Sequence, residues 1–233
     1  MTRLDRMAVE VEPDPVAGAL DAAGIRPERR GRARLSGLTR PQRELYRWIL
    51  NQFAAASPPS SEATHTAARE LGLDPTEASQ AFAREDLVHL DSEGRPQVAY
   101  PFSAGDRGHL VVIDGTSEVQ AMCAIDALGI APMLDLPVEI VSHDPVSHGE
   151  IRIQLHPDEP ASWQPEGAVV LAGSASCDGP SFRGCCDVLN FFETAENAAR
   201  YLREHSEISG APITIPEAAK AGRDVFGDAL REG

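Results

Sequence analysis

The stretch Ser117–Leu134, Ser-Glu-Val-Gln-Ala-Met-Cys-Ala-Ile-Asp-Ala-Leu-Gly-Ile-Ala-Pro-Met-Leu, is the segment around which the rest of the chain is read. Ser117 is a helix-capping residue, the text after it is rich in Ala, Met and Leu, and Gly129 and Pro132 are stop signals. The pattern predicts a helix over 117–129. Cys123 and Asp126 then stand three positions apart on one face, where a thiol and a carboxyl can share a ligand or a proton. Taken alone, the pair reads as a buried small hydrophobe and a solvated carboxylate.

A second segment changes that weight. Phe182–Phe192 reads Phe-Arg-Gly-Cys-Cys-Asp-Val-Leu-Asn-Phe-Phe, with two adjacent cysteines before an aromatic pair. The two segments together resemble the alkylmercury lyase (organomercurial lyase) family, in which a Cys-x-x-Asp helix faces a second cysteine that precedes an aromatic pair. The resemblance runs from about Leu38 to Phe226 and takes in Pro137–His143, Pro-Val-Glu-Ile-Val-Ser-His, and Val169–Leu171.

A chain of 233 residues has room for a substantial domain and a smaller one. Its net charge of −15 opposes nucleic acid and anionic lipid and favours a small-molecule partner. No apolar run approaches the length of a membrane span, and Met1–Pro15 lacks the apolar core of a signal peptide, so a cytoplasmic protein with reduced thiols is expected. Adjacent Cys185 and Cys186 would pair with each other only under strain, which also points to free thiols.

Residues 1–37 are expected to be a loosely packed extension with a short helix at Val16–Ala23. Its basic cluster, Arg26, Arg29, Arg30, Arg32 and Arg34, reads as a solvated linker. Residues 38–102 predict a winged-helix-like helical module. One helix follows Thr39-Arg-Pro-Gln with an apolar face of Leu45, Trp48, Ile49 and Phe53, and further helices cover 61–71 and 77–85. A hairpin over 86–100 turns at Asp91-Ser-Glu-Gly. The third helix carries Glu77 and Glu85 against Arg84, so packing rather than DNA binding is its expected role. Residues 103–233 predict a small mixed β-sheet with flanking helices, the fold class being α+β. Strands are expected at 109–114, 138–141, 151–155, 168–171, 187–191 and 212–214, and helices at 117–129, 194–204 and 215–226.

The resemblance implies a carbon–mercury lyase in which Cys123, Asp126 and Cys186 bind the metal and do the chemistry. Thiolate sulfur is the protein ligand best suited to a soft ion such as mercury(II). The carbon leaving such a metal must be protonated as its bond breaks, so two thiolates and one acid form a sufficient set, with Asp126 taking a thiol proton and passing it to carbon. Mercury enters as substrate and leaves as product, with no cofactor required. Free thiols or a mercuric reductase would accept the Hg(II). In relatives the reactive cysteine stands five residues before the first phenylalanine of the aromatic pair, which favours Cys186 over Cys185. A strand beginning at Cys186 would put only one of the two on the face of Cys123. Cys177 reads as incidental. Two departures from the family stand out: Asp144 near a position where some relatives have cysteine, and Met122 where an aromatic often precedes the first cysteine. Met122 is expected to place a thioether near the metal.

Four other readings compete. A non-catalytic copper or mercury binding protein would use the same two cysteines. Zinc would use His143, His148 and His156, whose spacing matches no common zinc pattern. A thiol hydrolase would need a partner histidine and an oxyanion loop near Cys123, and neither is marked. A winged-helix regulator is opposed by the charge.

Overall fold

The computed structural model describes residues 14–157, 159–175 and 186–231. Helix α1, Pro15–Ala22, is capped by the Asp14 carboxylate, which accepts from Val16 N at 3.0 Å. Val16, Ala19, Leu20 and Ala23 are buried, and two short 3₁₀ turns, Pro27–Arg29 and Gly31–Leu35, follow. The described part of the extension is therefore packed into the core, against the expectation of a loose linker. Its apolar residues form one helical face, and that face finds cover on the C-terminal helix and the smaller sheet.

Helix α2, Arg40–Ala54, opens on a capping box between Thr39 and Gln42 and buries Leu45, Tyr46, Ile49, Leu50 and Phe53. Helices α3, Ser61–Glu70, and α4, Pro75–Arg84, start on the side-chain caps Ser60 and Asp74. Strands β1, Val88–Leu90, and β2, Pro96–Ala99, pair as the expected hairpin. Its turn is held by the Asp91 carboxylate, which accepts from Glu93 N and Arg95 N. Strand β3, Phe102–Ser103, pairs with β2 on one side and with β5, Ser117–Ala121, on the other, so the sheet runs on past residue 102.

The remaining strands are β4, His109–Ile113; β6, Val138–His143; β7, Glu150–His156; β8, Glu159–Gln164; β9, Val169–Ala175; β10, Phe191–Phe192; and β11, Ile208–Thr214. They form two antiparallel sheets in place of one small mixed sheet, within the expected α+β class. One has the order β1-β2-β3-β5-β4-β6-β7-β8 and the other β10-β9-β11. Helices α5, Ala124–Leu134, α6, Ala195–Glu204, and α7, Ile215–Phe226, complete the chain. Among the described residues no helix is long and apolar enough to cross a membrane.

Two expectations are corrected. Residues 117–121 are strand, not the first turn of a helix. Asp114 and Gly115 take left-handed φ values of 47° and 65°, which fold β4 back on β5. The alternation then buries Val119 and Ala121 and leaves Glu118 exposed. The helix begins only after Cys123, runs through Gly129 and Pro132, and ends where Asp135 adopts φ 58°. Interior proline costs about 3 kcal/mol. Burial of every residue from Ala124 to Ala131, and of Met133, offsets that cost. The strand expected over 187–191 is reduced to the pair Phe191–Phe192, because 186–188 form a turn.

Helices α5 and α7 lie almost backbone to backbone. A Cβ on Gly222 would stand 2.7 Å from Gly129 N and 2.9 Å from Ile125 O, and one on Gly129 would stand 2.4 Å from Phe226 Cδ2. This contact fixes α5, whose N-terminus carries the candidate site.

Candidate active site

Cys123 is the N-cap of α5. Its backbone is extended, with φ −159° and ψ 177°, and its sulfur accepts from Asp126 N at 3.4 Å. One bond before it, Met122 N donates to Pro101 O at 3.0 Å, which ties the start of α5 to the strand segment that carries Tyr100. One bond after it, Ala124 N donates to Leu189 O at 2.8 Å. A donor that helix geometry leaves unpaired thus anchors the distant 186–190 segment, and with it Cys186, at the helix N-terminus.

The result is a group of three. One ligand atom each from Cys123, Asp126 and Cys186 lie within 4.8 Å of one another, and all three residues are buried. Two thiolates on opposite sides of one ion, at metal–sulfur distances of roughly 2.3 Å, would be about 4.6 Å apart. The group therefore has the span of a two-sulfur metal site with a carboxyl at its edge. The Cys186 sulfur is also 3.9 Å from the Tyr100 hydroxyl, and Tyr46 holds that segment by donating its hydroxyl to Tyr100 O at 2.7 Å.

Burial dominates the electrostatics. It pushes the Asp126 carboxyl up to about 7. The Arg34 guanidinium and a hydrogen bond with Cys123 pull the other way, and Asp86 adds a smaller upward push. Among the described residues Asp126 Oδ2 has no hydrogen-bond partner. Burial, then the nearby Cys186 and Asp126, raise the Cys123 thiol well above its ordinary value; the Asp126 N–H opposes them weakly. Burial and the adjacent Cys186 likewise keep the Tyr100 phenol protonated. A cavity of about 650 Å³ opens onto the group, and its wall includes Tyr100, Arg34, Leu189 and Phe226.

The three residues expected from sequence thus come together, though not as a helix face opposite a strand face. Cys123 is a cap rather than a helical residue, and Cys186 sits in a turn, so the alternation used to choose between Cys185 and Cys186 does not apply. Cys185 and Cys177 lie outside the described residues. Met122 is buried in the core and is not part of the cavity wall, contrary to expectation. Asp144 is buried and accepts from Val146 N, Ser147 N, Glu193 N and Asn197 Nδ2, a structural role. His143, His148 and His156 are exposed, and among the described residues they form no metal-sized group. Sequence reasoning missed Tyr100 and Arg34. The first closes an ordinary hairpin, and the second was one of five arginines read as solvated.

Residues 102–227, more than half of the chain, match the model of the MerB alkylmercury lyase family. The chain belongs to the alkylmercury lyase family. The alkylmercury lyase of Staphylococcus epidermidis is 27% identical over 169 residues, 72% of this chain and 76% of that protein. The one from Streptomyces lividans is 24% identical over 179 residues, 77% and 80% of the two chains. A solved structure described as the mercury-bound form of MerB2 superposes with a TM-score of 0.71 at 18% identity, over 85% of this chain and 96% of that one. This last likeness is one of fold. The alkylmercury lyase family is a family of enzymes that cleave carbon–mercury bonds.

Proposed function

We propose that this protein is an organomercurial lyase that cleaves the carbon–mercury bond by protonolysis, with Cys123 and Cys186 as thiolates and Asp126 as the proton shuttle. The observation that carries the reading is the convergence of two buried sulfurs and one buried carboxyl within 4.8 Å, beside a cavity, in a member of this family.

The chemistry follows from the state of each group. A buried thiol is protonated at neutral pH and does not attack unaided. Coordination to a soft cation makes that thiol strongly acidic, and Asp126 is near enough to receive its proton. Cys123 forms the first sulfur–mercury bond as its proton moves to Asp126. Cys186 forms the second, its proton passing to solvent or to the leaving ligand of the substrate. Two thiolates raise the electron density on mercury and weaken the bond to carbon. Carbon then departs with the bonding pair as Asp126 returns the proton to it. The products are a hydrocarbon and Hg(II) held by both sulfurs, the oxidation state of the metal unchanged. A carboxyl that titrates at about 7 is poised for both halves of this transfer, because neither proton state is strongly favoured at neutral pH.

Passage of Hg(II) to small thiols or a mercuric reductase, and residence in the reducing cytoplasm, complete the proposal. Nucleic acid is not a partner on this reading, since the charge of −15 opposes it. We take residues 38–102 as a helical module that supports a catalytic unit over 103–233, with 1–37 as an extension added to both. Phenylmercury and excess thiol should yield benzene, and Asp126→Ala should still bind mercury while releasing little hydrocarbon. Metal binding without benzene from the unaltered protein would favour the non-catalytic soft-metal binder instead.

A further inference from the structure

We propose that Arg34, in the wall of the cavity that holds Cys123 and Cys186, recognises a carboxylate on the substrate, so that this enzyme prefers organomercurials presented with an anionic group. The inference rests on the lyase reading and adds a substrate class to it.

The basic cluster of the extension does not stay in solvent. Three of its arginines are taken by carboxylates: Arg29 by Asp86 at 3.0 Å, Arg30 by Asp21 at 2.7 Å and Arg32 by Asp228 at 3.8 Å. Arg34 is different. It is half-buried, and among the described residues it pairs with no carboxylate. Its guanidinium carbon instead stands 4.7 Å from the centre of the Phe226 ring and 5.3 Å from that of Tyr100, both of which also line the cavity. Two aromatic faces thus hold a planar cation at the cavity wall, its charge felt by Asp126 but its fork of donors bonded to no acid among the described residues, an arrangement suited to grip a carboxylate with two parallel hydrogen bonds.

Size points the same way. A cavity of about 650 Å³ falls in the range of sites for drug-sized ligands, far more than a methyl- or ethylmercury ion fills. The carboxylate can come from either side of the metal: from the organic group on carbon, or from the thiol that carries the organomercurial in as a thiolate adduct. In the second case the carrier leaves with a proton as the enzyme's sulfurs replace it.

Three substrates separate these sources: phenylmercury with 2-mercaptoethanol, phenylmercury with mercaptoacetate, and 4-carboxyphenylmercury with 2-mercaptoethanol. Release of the protonated organic group, benzene from the first two and benzoate from the third, is measured at one pH and ionic strength. The expected result is a kcat/KM about tenfold higher for at least one carboxylate-bearing arm than for the neutral one, carried mainly by KM. The favoured arm identifies the source. Arg34→Met, which keeps an apolar stem against the rings, should bring the ratio close to one, and Arg34→Lys should retain part of it. A merely structural role for Arg34 would lower stability and leave the ratio where it is. Equal kcat/KM for all three substrates in the unaltered enzyme, or an unchanged ratio in Arg34→Met, overturns the inference and leaves the lyase intact. Absence of benzene and benzoate from every arm overturns the lyase reading and this inference with it.

Discussion

Asp126→Asn should make the protein more stable at neutral pH, by a margin that grows as pH rises towards about 7. The carboxyl titrates at about 7 in the fold and at 3.8 in an open chain. Between those two values the unfolded chain has lost the proton while the folded one keeps it, so folding must bind a proton and stability falls as pH increases. The fall is about 1.4 kcal/mol per pH decade. From 3.8 to 5 it amounts to roughly 2 kcal/mol, and from 3.8 to about 7 to roughly 4 kcal/mol, constant above that. Asparagine does not titrate and escapes the whole loss. Its amide inherits the unpartnered position of Oδ2, a cost of about 1–3 kcal/mol, but that cost is the same at every pH. The stability difference between variant and unaltered protein should therefore shift in favour of the variant by about 2–3 kcal/mol between pH 5 and pH 8. Urea unfolding at the two pH values measures it directly. A difference that stays flat within a few tenths of a kcal/mol would refute the argument that burial holds this carboxyl near neutrality. The same variant should release no hydrocarbon, so the site gives up stability for a proton it can both take and return.

Three other outcomes follow from the same structure. Cys123→Ser and Cys186→Ser should each lower benzene release from phenylmercury at least about a hundredfold with the far-ultraviolet dichroism unchanged, since a hydroxyl is a poor ligand for a soft ion. Gly222→Ala drives a methyl into the Gly129 and Ile125 backbone, and overpacking of that kind costs about 1–3 kcal/mol; Tm should fall by about 2–4 °C for each of these, and turnover should fall with it because α5 must move. Asp144→Ala strands three backbone N–H groups and the Asn197 amide, for an expected loss of about 3 kcal/mol in chemical denaturation near neutral pH. Burial acts to raise the Asp144 carboxyl, but the bonds from Asn197, Val146, Glu193 and Ser147 outweigh it and hold it below the usual carboxylate value. Its contribution is thus present above pH 3.8 and lost as pH falls through its lower folded value, so the gap to the variant should narrow in acid.

Much of this protein is legible one segment at a time. Thr39 with Gln42, Asp74 ahead of Pro75, and Thr194 ahead of the helix at 195–204 announce helix starts by chemistry that needs only neighbours in the chain. Asp91 to Gly94 announces the hairpin turn in the same way. Ser117 carried a valid capping signal as well, yet it lies in a strand. Pairing with β4 and β3 buries Val119 and Ala121, and burial outweighs a local preference worth about 1 kcal/mol.

The residue types of the candidate site, a Cys-x-x-Asp and a later cysteine before two phenylalanines, are written in the sequence, and so is the chemistry those types permit. What only the tertiary structure decided is their environment. The bond from Ala124 N to Leu189 O joins segments some sixty residues apart, the α5–α7 contact fixes the helix that carries Asp126, and the extension folds back to set Arg34 in the same cavity. Proton affinity and local field depend on what surrounds a group in space, and short-range sequence signals do not carry that information.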